Sequence, residues 1–196
     1  MDRLITGVRT LSRYGVWFGG VLIVVSAVIV GVDVVIRKAF SITVGGADEL
    51  SGFALAISSA WALGFALLER AHVRIDSLYA WLPIRIRAVL DLLALVVFAM
   101  FMAVFAWQAY GVFSNSVRMD TKTMTALETP LMFPQLLWVM GLFVFVLIAV
   151  LLLVRAFMSM ARGDVAAVQR HIGSLTVREE VKHELTHPKK PEEVTE

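Results

Sequence analysis

Residues 48–76 read DELSGFALAISSAWALGFALLERAHVRID, and nineteen of them, Leu50 to Leu68, lie between Glu49 and Glu69 without a single charge. At about 1.5 Å of rise per residue, a helix of that length reaches roughly 28 Å, close to the thickness of a bilayer's hydrocarbon core. The stretch predicts a membrane-spanning helix. Within it, small residues fall on two rows at four-residue intervals: Gly52, Ala56, Ala60 and Gly64, then Ala54, Ser58, Ala62 and Ala66. The rows are offset by about 200° around a helix. Two opposite faces can therefore admit a neighbouring backbone, which suits a helix in the middle of a bundle.

The ends of this span are densely charged, with Asp48 and Glu49 before it and Glu69, Arg70, His72, Arg74 and Asp76 after it. They are candidate recognition or structural groups; the other reading is that they only mark where the bilayer stops. Residues 72–83, HVRIDSLYAWLP, place Val73, Ile75, Leu78, Trp81 and Leu82 among polar residues. With Tyr79 and Trp81 suited to the headgroup layer, this piece is expected to lie along the interface as a short amphipathic segment ended by Pro83.

The rest of the chain repeats the pattern. Its 196 residues are 59% hydrophobic, and the mean hydropathy is +0.79, far above that of a soluble domain. Four long apolar runs predict an all-α integral membrane protein with spans at about 14–36, 50–68, 89–113 and 131–154. Residues 1–13 form a basic N-terminus, 14–160 the four-helix transmembrane domain, and 161–196 a polar, partly disordered tail. The first run is read as a retained signal anchor, since it is longer than a signal-peptide core and no small-residue cleavage site follows. Asp33 and Arg37, four apart at its end, can pair on one helical face, as can Arg87 and Asp91 at the start of the third. Gln108 is the third span's only strongly polar side chain, and hydrogen bonding to a neighbouring helix is its expected use. The fourth span, rich in Leu, Val and Phe, suits a helix facing lipid or a large partner. Between them, residues 114–130 form the longest connection, with Arg118, Asp120, Lys122 and Glu128.

Orientation follows from charge. With four spans, ten Lys and Arg residues near the membrane fall on the side of the termini and four, Arg37, Lys38, Arg118 and Lys122, on the other. The positive-inside rule makes both termini cytoplasmic. The same rule accounts for the pI near 9.2 without nucleic acid. There is no cysteine, which excludes disulfides and thiolate-bound metal or cluster sites. Only His72 of the four histidines lies near a span, so paired intramembrane haem ligands are missing. No span has a charge at its centre or a glycine–proline break in its middle, features that autonomous carriers and channels normally use. The chain reads as a scaffold or accessory subunit with no catalytic residues, metal or cofactor of its own. A free-standing structural or assembly protein of the inner membrane is the alternative.

Several fragments carry a resemblance: VDVVIRKAF (32–40) closing the first span, ADEL (47–50) opening the second, HVRID (72–76) with Leu82-Pro83 after it, and TALETPLMFPQLLW (125–138) entering the fourth. Together they resemble the small, DctQ-like membrane subunit of tripartite ATP-independent periplasmic (TRAP) transporters. Such subunits often carry a tryptophan and a second glutamate before the acidic residue, where this chain reads VGGADEL. The resemblance implies a bacterial inner-membrane complex with a large membrane subunit and a periplasmic substrate-binding protein that delivers an organic acid, driven by a sodium or proton gradient. In that setting Arg37, Asp48, Glu49, His72, Arg74 and Asp76 are the expected subunit-interaction or structural residues. Arg118, Asp120 and Lys122 mark a candidate docking loop for the binding protein.

Overall fold

The computed structural model describes residues 2–43, 45–69, 82–125 and 127–162. The segment expected at the interface (72–83) falls outside them except for its last two residues, and the tail beyond residue 162 lies wholly outside. The described chain forms four helices, α1 (Asp2–Phe40), α2 (Ala47–Leu68), α3 (Ile84–Arg118) and α4 (Met132–Ala161). All four are long and apolar enough to cross a membrane. The chain is an all-α membrane protein.

The helices outrun the uncharged stretches that mark them. α1 has 39 residues and α3 has 35, about 58 and 52 Å at the usual rise, so both must tilt or project beyond a hydrocarbon core of about 30 Å. Their ends are set by local chemistry. α1 stops where Ser41 turns to φ 56°, with its N–H on the Arg37 carbonyl at 3.0 Å. Gly45 and Gly46 (φ 71° and 81°) reverse the chain into α2, a conformation open to glycine at little cost. Pro83 immediately precedes α3 at its N-cap, and Pro134 sits in the first turn of α4, where its missing donor is not needed.

α1 packs on α2, α2 on α4 and α4 on α3, with a smaller contact between α1 and α4. The buried face of α1 consists of Ser12, Gly15, Gly19, Ser26 and Asp33. Four of these, Ser12, Gly19, Ser26 and Asp33, recur every seven residues, or about two turns. Its outer face carries Trp17, Val21, Val24, Val28 and Val35, all exposed. A water-soluble helix would be built the other way round. In lipid, bulky apolar groups can face acyl chains while small ones let backbones approach.

α2 uses both of its faces. On one side the Ser58 hydroxyl, 2.8 Å from the Gly19 carbonyl of α1, also lies 2.6 Å from the Ala54 carbonyl of its own helix. On the other, Ala60 and Gly64 meet α4, and a Cβ built on Gly141 would lie 3.0 Å from the Ala60 Cβ. Trp61 reaches both neighbours: its ring lies over Gly15 of α1, and its indole N–H donates to the Leu137 carbonyl of α4 at 3.1 Å. The two rows of small residues are only partly buried, because Gly52 and Ala62 are exposed. A step of four residues advances about 400°, so each row winds off its face by about 40° per step.

Two expectations need refining. α4 faces lipid or a partner with only one side: Leu136, Met140, Phe143, Leu147 and Val150 are exposed there, whereas Phe145, Leu142 and Ile148 are among the most deeply buried side chains, on a helix that contacts the other three. Its small complements lie on its partners, as Ala60 and Gly64 of α2 and Ala88, Ala99, Ala106 and Ala109 of α3. Large side chains on one helix fill space left by small ones on the next. Phe98 meets Phe145 edge to face at 5.4 Å, and Phe105 meets Trp138 at 5.9 Å. Gln108 is not buried against a neighbouring helix; it lies on the exposed face of α3.

The close approach of α1 to α2 yields a paired prediction. A Cβ at Gly19 would lie 2.9 Å from the Ser58 Cα, whereas at Gly20 it would meet nothing within 4 Å. Gly19→Val should destabilise the folded chain by about 1–3 kcal/mol, and Gly20→Val should leave it near wild type. Unfolding in mixed detergent and SDS, followed by far-UV circular dichroism, measures the difference.

Candidate functional site at the loop end of the bundle

The connections at 41–46 and 119–131 meet at one end of the bundle, where Gly46 packs on Leu127 so closely that a Cβ would overlap that side chain. Each connection is tied to a carboxylate by a chain of hydrogen bonds. In the first, the Gly45 N–H donates to Thr43 Oγ1 at 3.3 Å, and Thr43 Oγ1 donates to Asp33 Oδ1 at 3.0 Å. The second carboxylate oxygen of Asp33 takes the Arg37 guanidinium. Asp33 is 1% exposed, while the Arg37 side chain is 56% exposed. A buried acid is thus satisfied by a hydroxyl and by a cation that keeps part of its hydration, which lowers the cost of burying the charge.

In the second chain the Thr129 N–H donates to Thr123 Oγ1 at 2.9 Å, the Thr123 and Thr125 hydroxyls lie 3.1 Å apart, and Thr125 Oγ1 donates to Glu49 Oε2. If the proton between the two hydroxyls comes from Thr123, every donor in the row points toward the carboxylate and the bonds polarise one another. Glu49 and Asp48 also occupy the first turn of α2, where the helix dipole favours negative charge. The loop is folded further by Thr123 N–H on the Thr129 carbonyl and Leu131 N–H on the Thr121 carbonyl, both at 3.0 Å. A lone antiparallel bridge joins Lys122 and Pro130. Asp120 (φ 45°) and Glu128 (φ 43°) take the left-handed turns that this compact shape requires.

Of the residues singled out from sequence, Arg37 and Glu49 both lie at this end but are not paired with each other. Arg37 holds Asp33 on its own helix, and Glu49 is engaged by the threonine loop. Asp48 is exposed, and its carbonyl accepts the Ser51 hydroxyl at 2.7 Å. Arg118, Asp120 and Lys122 are exposed around the base of the loop that Glu49 anchors. His72, Arg74 and Asp76 lie outside the described residues. At the opposite end Arg9 and Glu69 form a solvated pair at 3.9 Å, of the sort that contributes little stability.

Sequence reasoning missed Thr43, Thr123, Thr125 and Thr129. The available signal was the alternation of Thr121, Thr123 and Thr125 in an otherwise apolar chain, since every second residue of an extended segment faces one side. Among the described residues no group of three or more histidines and carboxylates gathers to hold a metal ion. Asp33, Glu49 and Asp91 all lie within about two turns of a helix end. The arrangement ties helices to loops.

A family model for the DctQ component of tripartite ATP-independent periplasmic transporters matches residues 26–159. The chain belongs to that family. The match takes in the Asp33–Arg37 pair, the whole of α2 and α3, both threonine chains and nearly all of α4. Neither the curated proteins nor the solved structures include a match to the chain. As a DctQ component, it is a subunit of a transporter complex, and four membrane helices of this kind make it a multi-pass membrane protein.

The two hydrogen-bond chains can be separated by experiment. Thr125→Val should speed amide hydrogen exchange across 121–131 and leave 41–46 unchanged, because Glu49 loses its contact with the loop while Asp33 keeps its own. Asp33→Asn should do the reverse, with a loss of about 1–3 kcal/mol at the end of α1. Lys38→Ala, an exposed neighbour, should change neither. Exchange read by mass spectrometry in detergent or nanodiscs reports all three.

Proposed function

We propose that this chain is the accessory small permease subunit of a TRAP-type secondary transporter. It braces a large membrane subunit and helps to dock a periplasmic substrate-binding protein during ion-gradient-driven uptake of an organic acid. The reading is carried by membership of the DctQ family, in a bundle whose described spans have no charged side chain at their centres. A substrate or coupling ion crossing the membrane must exchange water for protein groups at mid-depth. Those groups belong to the partner subunit, and this chain supplies shape and attachment.

In this reading the membrane is the bacterial inner membrane, both termini are cytoplasmic and the loop end faces the periplasm. The loop that carries Arg118, Asp120 and Lys122 then stands where a binding protein arrives, and Glu49 with its threonines holds it in one shape. Pre-organising such a loop lowers the ordering cost of docking. Asp48 lies at the same outer end. On the cytoplasmic side His72, Arg74 and Asp76 hold the corner beyond α2.

Reconstitution tests the proposal. Proteoliposomes holding the purified chain alone should show no gradient-driven uptake, and those holding it with its large subunit and binding protein should show uptake that collapses when the chain is left out. Saturable transport by the chain alone would overturn the reading. Arg74→Ala and Asp76→Ala should lower the amount of large subunit that co-purifies, whereas Glu192→Ala in the tail should not.

A further inference from the structure

Gln108 is the one strongly polar side chain in the uncharged stretch from Leu92 to Phe113. It is exposed on the outer face of α3 and makes no hydrogen bond within the chain among the described residues. Its depth follows from its position: ten residues, about 15 Å, below Arg118, and seventeen, about 25 Å, from Asp91. Glutamine is shorter than the lysine and arginine side chains that snorkel to the headgroups. Facing acyl chains, its amide would forfeit its hydrogen bonds, at a cost of several kcal/mol in hydrocarbon. Other exposed hydroxyls of the spans avoid that cost internally: Ser51 donates to the Asp48 carbonyl and Ser59 to the Ala56 carbonyl.

The surroundings suit a second helix. Trp107, 71% exposed, and Phe101 and Val104 stand out from the same side of α3, while a Cβ at Gly111 would meet nothing within 4 Å. The face thus combines large anchors, an open glycine and one unsatisfied amide. The outer face of α1 differs. Trp17, Gly20, Val21 and Val24 border an apolar hollow there, with no amide or hydroxyl side chain in its lining.

We infer that the outer face of α3 around Gln108 is the seat of a transmembrane helix of the large subunit, which offers the Gln108 amide a hydrogen-bonding side chain or a freed backbone carbonyl. This rests on the accessory-subunit reading and assigns it a surface. Polar side chains at membrane depth act as interhelical attachments, and this one has no counterpart in its own bundle.

The chain has no cysteine and keeps Gln108 intact when a photoreactive phenylalanine analogue replaces Val104, one turn away. Irradiation of the assembled complex in nanodiscs should give an adduct with the large subunit from position 104 and none from position 24 on α1. Gln108→Leu should lower the large subunit recovered in mild detergent by about three- to tenfold, with the chain's own insertion and helicity unchanged; Val24→Leu should leave recovery at the wild-type level. Adducts at 104 with lipid or a second copy of the chain alone, or full recovery with Gln108→Leu, would overturn the assignment while leaving the accessory-subunit reading in place. If the wild-type chain captures no large subunit at all, both fall.

Discussion

Trp61 is the point on which the bundle turns. One indole lies across Gly15 of α1, faces Gly141 of α4 and donates its N–H to the Leu137 carbonyl, so one side chain fixes three helices at one level. Lipid tails are as apolar as leucine, and helices in a bilayer have no hydrophobic incentive to associate. Close packing and a few hydrogen bonds must hold them. Glycine beneath a tryptophan provides the first, and the indole N–H provides one of the second. The Ser58 contact with Gly19 does the same about one turn away, nearer the loop end.

This constraint shapes α1 and α4 differently. α1 meets a helix that carries its own large group, Trp61, and so offers glycine and serine inward. α4 offers Gly141 to the same indole, but opposite the alanines of α2 and α3 it turns Leu142, Phe145 and Ile148 inward, where they are buried. The charged groups obey a related rule, since a carboxylate near the membrane needs donors close by. Asp33 finds its donors in Arg37 of its own helix and Thr43 of the loop that follows, and Glu49 finds its donor in the threonine loop.

Much of this was legible in the sequence. Uncharged runs of spanning length identified the four helices, the spacing of Asp33 and Arg37 gave their pairing, and small residues on two sides of α2 placed it between neighbours. The threonine chains were harder to read, because Glu49 and Thr125 are 76 residues apart and nothing local couples them. The buried side of α4 was hidden for a different reason: a helix rich in large residues looks suited to lipid or a large partner until the small residues of its neighbours in the bundle are in place. Gln108 was visible as a polar residue, but its direction depends on the face of α3 chosen by Ala99, Ala106 and Ala109.

The long reach between Glu49 and its loop also bears on how the protein is made. When α1 and α2 have entered the membrane, Asp33 already has Arg37 and Thr43, but the hydroxyls that will serve Glu49 have not yet been synthesised. The first hairpin is therefore incomplete at one corner until residues 123–129 arrive on the same side of the membrane. A failure to deliver that segment leaves Glu49 at the membrane surface without the hydroxyl that serves it in the finished subunit.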